Sequence, residues 1–183
     1  MRDSLPYLPL CLIVALLFAA ALRSYSSSLK LTKVDWKDLI SRLQQLDEDG
    51  IATVARDYLE PHARQIEMEP DKMWELVGGY EGLNRMRENA NIMLALAVYA
   101  QRWNFDEGVI VSERMRRDGL ALRRSVRRVE VRRVLRKFTR RFGLREPFDV
   151  HEAAASYHLM RQRLLALYET SHAGLYPALA ATL

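Results

Sequence analysis

A single cysteine, Cys11, excludes an internal disulfide framework and any zinc site built from several thiolates. Glycine and proline are scarce as well, with eight and six copies among 183 residues. No stretch alternates apolar and polar residues over the length of a strand, no segment repeats, and no glycine pattern marks a nucleotide-binding turn. What remains is rich in Ala, Leu, Arg, Glu and Met, residues that lose little rotamer freedom in a helix. The chain therefore reads as all-α, with an N-terminal transmembrane or signal-anchor helix followed by a bundle of about five to six helices.

Histidine is also rare. His62, His151, His158 and His172 are the only copies, and none belongs to an HExxH pair that would place two zinc ligands one turn apart. Glu169 and His172 form one Glu-x-x-His, the pair that carboxylate-bridged di-metal bundles use twice together with two further glutamates. A second copy is missing, so these two residues are weak metal candidates only. His172 near a helix end also suits the negative end of the helix dipole. No catalytic residue and no cofactor is assigned. Tyrosines 157, 168 and 176 and Trp36, Trp74 and Trp103 read as packing residues.

Long apolar runs occur once. Leu5 to Leu22 carries no charge over eighteen residues, about 27 Å as a helix against a hydrocarbon core of roughly 30 Å. Pro6 and Pro9 lie in its first turns, where missing N–H groups cost least. A cleaved signal peptide, with Ala19 and Ala21 at the cleavage site, competes with an anchor. The weak positive end, Arg2 offset by Asp3, favours the anchor. Arg23, Lys30, Lys33 and Lys37 follow the run and favour a cytoplasmic C-terminal part over an exported one. The expected organisation is a membrane anchor over 1–23, a Ser-rich juxtamembrane linker over 24–34, and a helical domain over 35–183.

Punctuation places the helices. Thr32 with Asp35 resembles a capping box opening WKDLISRLQQL, and Asp49-Gly50 divides it from IATVARDYLE, which Pro61 closes. Pro70 opens the next helix and Gly78-Gly79 stops it. The stretch Ala90 to Ala100 is apolar all round apart from Asn91, the pattern of a central helix. Asn104 with Glu107 caps the following helix, Gly143 and Pro147 end it, and Asp149 with Glu152 caps the last long one.

Acidic residues are nearly absent from one region. Residues 122–143 hold nine arginines and one lysine around Glu130 alone. Over 114–145, fourteen bases against two acids leave +12, while the whole chain carries +5. Residues 35–79 hold eleven acids and five bases, a net −6, and are the expected neutralising neighbours. At 100° per residue, Val111, Met115, Leu122, Val126 and Val129 share one side. After Glu130 the apolar side moves half a turn, to Val131, Val134, Leu135, Phe138 and Phe142. Either the helix breaks near Glu130 or one rod packs on opposite sides in its two halves; without Pro or Gly at the switch, the continuous rod is favoured. Phe138 and Phe142 are expected to meet the helix after Asp149.

The basic interaction face comprises Arg123, Arg124, Arg127, Arg128, Arg132, Arg133, Arg136, Lys137, Arg140 and Arg141. A charge run is most often a solvated, salt-bridged helix face. Beside a bilayer it can also contact anionic lipid or an acidic protein partner. The expected role is thus a membrane-anchored, single-pass interaction or scaffold protein. A metal-dependent bundle enzyme is one alternative. A nucleic-acid binder is another, disfavoured because few aromatics accompany the arginines. No small-molecule substrate is indicated.

Overall fold

A computed structural model describes residues 34–60, 68–138 and 147–183, with residues 134–138 and 147–148 described through their backbone alone. All regular structure among the described residues is helical. Seven helices follow in order, one more than the upper expectation: α1 (Trp36–Ser41), α2 (Glu48–Leu59), α3 (Pro70–Leu76), α4 (Gly79–Ala100), α5 (Phe105–Phe138), α6 (Pro147–Ser171) and α7 (Tyr176–Ala180). Short α7 accounts for the difference. Among the described residues no helix is long and apolar enough to cross a membrane. Residues 1–33, which hold the expected anchor and almost all of the linker, lie outside them.

The first expected helix is too long as read from the sequence. It ends at Ser41, and residues 43–47 are not helical. Asn89, buried on α4, supplies the reason. Its Oδ1 accepts the Gln44 N–H at 2.9 Å, and its Nδ2 donates to the Gln44 carbonyl at 2.7 Å and to the Tyr157 hydroxyl at 3.2 Å. The backbone of Gln44 thus finds partners that replace a helical ladder. Thr32 lies outside the described residues, and Asp35 makes no side-chain cap. A new cap forms at Asp47, whose carboxylate accepts the Gly50 N–H at 3.0 Å and starts α2 two residues before that glycine.

Other boundaries match the punctuation. Pro70 is the first residue of α3, and Gly78 and Gly79 take left-handed φ values of 74° and 61° where the chain reverses into α4. At the start of α5 the Glu107 N–H donates to Asn104 Oδ1 at 3.3 Å, while Asn104 Nδ2 donates to Glu107 Oε2 at 2.8 Å. Helix α6, however, already begins at Pro147, so Asp149 and Glu152 lie inside it instead of capping it. Their carboxylates turn to α5. The basic helix is continuous through Glu130, 34 residues or about 51 Å long.

The central helix is α6, not α4. It packs against α2, α3, α4, α5 and α7, and Ala153, Ala154 and Ala155 let its neighbours approach closely. Tyr157, Met160, Leu164, Leu167 and Tyr168 carry the core along it. Helix α4 buries Leu83, Met86, Met93 and Leu96, but Asn91, Leu94 and Val98 remain half-buried along one open side. That side becomes a groove.

Two core tyrosines make the fold sensitive to alkali. The Tyr168 hydroxyl donates to the Leu96 carbonyl at 3.0 Å and accepts Trp36 Nε1–H at 3.2 Å. Burial pushes the Tyr157 phenol up to about 12 and raises that of Tyr168 as well. An unfolded tyrosine ionises at 10.0, so above that pH the unfolded chain binds fewer protons than the native one. The contribution of these two tyrosines should therefore be constant below pH 10 and fall above it, by up to about 1.4 kcal/mol per pH unit for each. Urea melts at pH 8 and pH 11 check this, with Tyr157→Phe reducing the difference.

Candidate functional site: the arginine face of the long helix

Helix α5 meets its neighbours along two flanks and turns a third side outward. Its inward stripe is the expected one: Met115, Leu122 and Val126 are buried, and Val111 and Val129 pack against the core. On one flank the residues face α6, on the other α4. This arrangement divides the ten expected basic residues into distinct groups.

The flank toward α6 is a charged clamp. Asp149, only 5% exposed at its side chain, accepts from Arg128 Nε at 2.8 Å and from Arg132 Nη1 at 2.5 Å. Glu152 also pairs with Arg128 and accepts a hydrogen bond from Ser125 Oγ at 2.6 Å. Further along, Arg163 pairs with Asp118. Such half-buried, charge-assisted bonds fix the register of two helices more firmly than surface pairs do. Beside the clamp, the fully buried His151 holds its Nε2 3.0 Å from Asp57 Oδ2 of α2.

The flank toward α4 is occupied differently. Arg123 donates to the neutral side-chain oxygen of Asn91, and Arg87 of α4 reaches Glu130 at 3.0 Å. Arg133 lies 4.3 Å over the ring of Tyr80, a cation–π contact. The acids of residues 35–79 are expected to neutralise part of the basic helix. Among the described residues, Asp149 and Glu152 from α6 do that work. Two acids of the 35–79 segment turn instead to α6: Glu48 pairs with Arg161 and Asp57 with His151.

Arg124 and Arg127 remain on the outward side, joined by Arg116, without an ion-pair partner among the described residues. Apolar residues share that side. Phe105 is 68% exposed, Leu120 45% and Val131 48%. Around Val131, the arginines 124, 127, 128 and 132 rim a shallow depression of about 550 Å³. The side chains of Arg136, Lys137 and Phe138, and residues Arg140, Arg141 and Phe142, lie outside the described ones, and with them the expected phenylalanine contact.

The metal candidates Glu169 and His172 gain no third ligand among the described residues. His172 packs its ring 4.7 Å from that of Trp103, while the neighbouring Thr170 hydroxyl donates toward Glu107 at 3.4 Å. Among the described residues no group of three His, Cys, Asp or Glu side chains is placed to share an ion. Sequence reasoning missed the Asp149–Arg128–Arg132 clamp because it gave Asp149 to a helix cap. The spacing Arg128 to Arg132, one turn of one face, was the available signal. No protein-family model, no curated protein and no solved structure matches this chain.

Proposed function

We propose that this protein is a membrane-anchored interaction protein whose helix α5 docks lengthwise on an anionic bilayer surface. One observation carries the reading: Arg116, Arg124 and Arg127 share the outward side of one 34-residue helix with exposed Phe105, Leu120 and Val131. Single exposed apolar residues are common on solvated faces, so what counts is that these three lie on the same side as arginines without an ion-pair partner among the described residues. A helix lying in a membrane interface wants both, arginines for the headgroups and apolar groups for the acyl boundary. Each cation near an anionic leaflet contributes about 1 kcal/mol. The apolar run of residues 5–22, read as an anchor, would hold α5 close to that surface and raise its effective concentration there.

An acidic protein would use the same arginines. The exposed apolar residues and the neighbouring apolar run favour the bilayer. The test is the lipid recovered with full-length protein purified from mixed phosphatidylcholine and phosphatidylserine membranes. Wild-type protein should be enriched in phosphatidylserine, and the Arg116→Glu, Arg124→Glu, Arg127→Glu triple variant should lose most of that enrichment. Equal enrichment in both would remove the arginine face from membrane contact.

A further inference from the structure

The open side of α4 and the adjoining flank of α5 enclose a groove of about 620 Å³, within the range of small-molecule sites. The helices run antiparallel, so the groove has two distinguishable ends. At one, Gln101 Nε2 donates to Ser112 Oγ at 3.0 Å; at the other, Arg123 bonds Asn91. The ten residues of α4 between Asn91 and Gln101 make it about 15 Å long. Its middle is apolar, with Leu94, Val98 and Leu120 along the walls. Gly119 leaves room at the floor, where an added methyl would meet only the flexible Met160 side chain at 3.6 Å.

The Arg123 end is short of negative charge. Burial and the neighbouring Arg87 both hold the Arg123 guanidinium below its usual range, and its hydrogen-bond acceptor is a neutral amide. Arg116 lines the same groove without an ion-pair partner among the described residues. The acid that also lines it, Glu113, is engaged by Arg117 at 3.6 Å. A half-buried cation lacking a counter-charge is stabilised by any anion that reaches it.

We infer that this groove binds a medium-chain fatty acid, with the carboxylate on Arg123 and the chain along Leu94, Val98 and Leu120 toward Gln101. The inference uses the α4 flank of α5, which shares Arg116 and Leu120 with the outward side, and competition by phosphatidylserine separates the two readings.

The test uses full-length protein in phosphatidylcholine nanodiscs and a laurate analogue carrying a photoactivatable diazirine, with cross-links mapped by mass spectrometry. Labelling is expected within residues 91–98 and 116–120, suppressed by excess laurate but not by dodecyltrimethylammonium or by added phosphatidylserine. Arg123→Gln should weaken labelling about tenfold, the loss of one or two charge-assisted hydrogen bonds. Gly119→Leu should block the floor with Arg123 intact, while Gly119→Ala should label as wild type and serve as the folding control. Labelling that the arginine variant leaves unchanged, or that the cationic amphiphile competes equally, would overturn the inference. So would competition by phosphatidylserine alone, which would assign the groove to a bilayer lipid chain. Label confined to Phe105 and Val131 would do the same while leaving membrane docking intact.

Discussion

Asp149→Ala will destabilise the fold by about 2–3 kcal/mol and strengthen binding to anionic membranes in the same molecule. The destabilisation follows from geometry. Asp149 is almost completely buried and holds two guanidinium groups of α5, at 2.8 and 2.5 Å. Breaking a fully buried pair costs about 3–5 kcal/mol because a charge is left unpaired. Here Arg128 and Arg132 are 47% and 36% exposed and regain water, which lowers the figure. Glu152 keeps a hold on Arg128, which limits the loss.

The gain in binding follows from the same release. Arg128 and Arg132 flank Val131 on the side nearest the free Arg124 and Arg127. Release adds about 1 kcal/mol for each cation freed to an anionic surface, roughly a fivefold gain in affinity for one and up to about thirtyfold for both. Thermal denaturation and titration with phosphatidylserine vesicles read the two effects separately. Asp149→Asn keeps the volume and should show both effects in weaker form. If α5 has no contact with anionic lipid, only the stability should change.

Asn89→Ala should cost about 3 kcal/mol, although the residue touches no charged group of the basic helix. The amide makes three hydrogen bonds that tie α4 to the Gln44 backbone and to Tyr157 on α6. Removal leaves a backbone N–H, a carbonyl and a buried hydroxyl without these partners, each worth about 1 kcal/mol or more. Asn89→Leu restores volume but no acceptor, so it should be nearly as damaging. Pairing Asn89→Ala with Tyr157→Phe should give less than the sum of the two losses, since they share a bond.

Much of the helical order was legible in the chain because it is written in local chemistry. Pro70, the Gly78-Gly79 pair and the Asn104–Glu107 cap act over three or four residues and need no distant partner. The continuity of α5 through Glu130 was legible too, from the absence of any helix breaker. The early end of α1 was not, since it depends on Asn89, 45 residues away from Gln44. Asp149 was misread for a related reason. An acid near a helix start fits the rule for a cap, and only the packing of α6 on α5 sends it to Arg128 and Arg132. The candidate face was legible as a set of arginines but not as three sides. Its division into a clamp, a groove flank and an outward strip follows from which helix lies beside each residue.

Membrane docking by α5 is tested most directly at Val131, which lies among the arginines of the outward depression. A bimane probe attached at Val131→Cys in full-length protein carrying Cys11→Ser reports contact with acyl chains through quenching by brominated lipid. In vesicles containing phosphatidylserine the probe should be quenched, and the quenching should weaken in high salt as the surface charges are screened. Arg124→Glu with Arg127→Glu should abolish it. In phosphatidylcholine alone the probe should stay in water. Quenching that ignores lipid charge, salt and both arginines, or no quenching in either membrane, would contradict docking of this face.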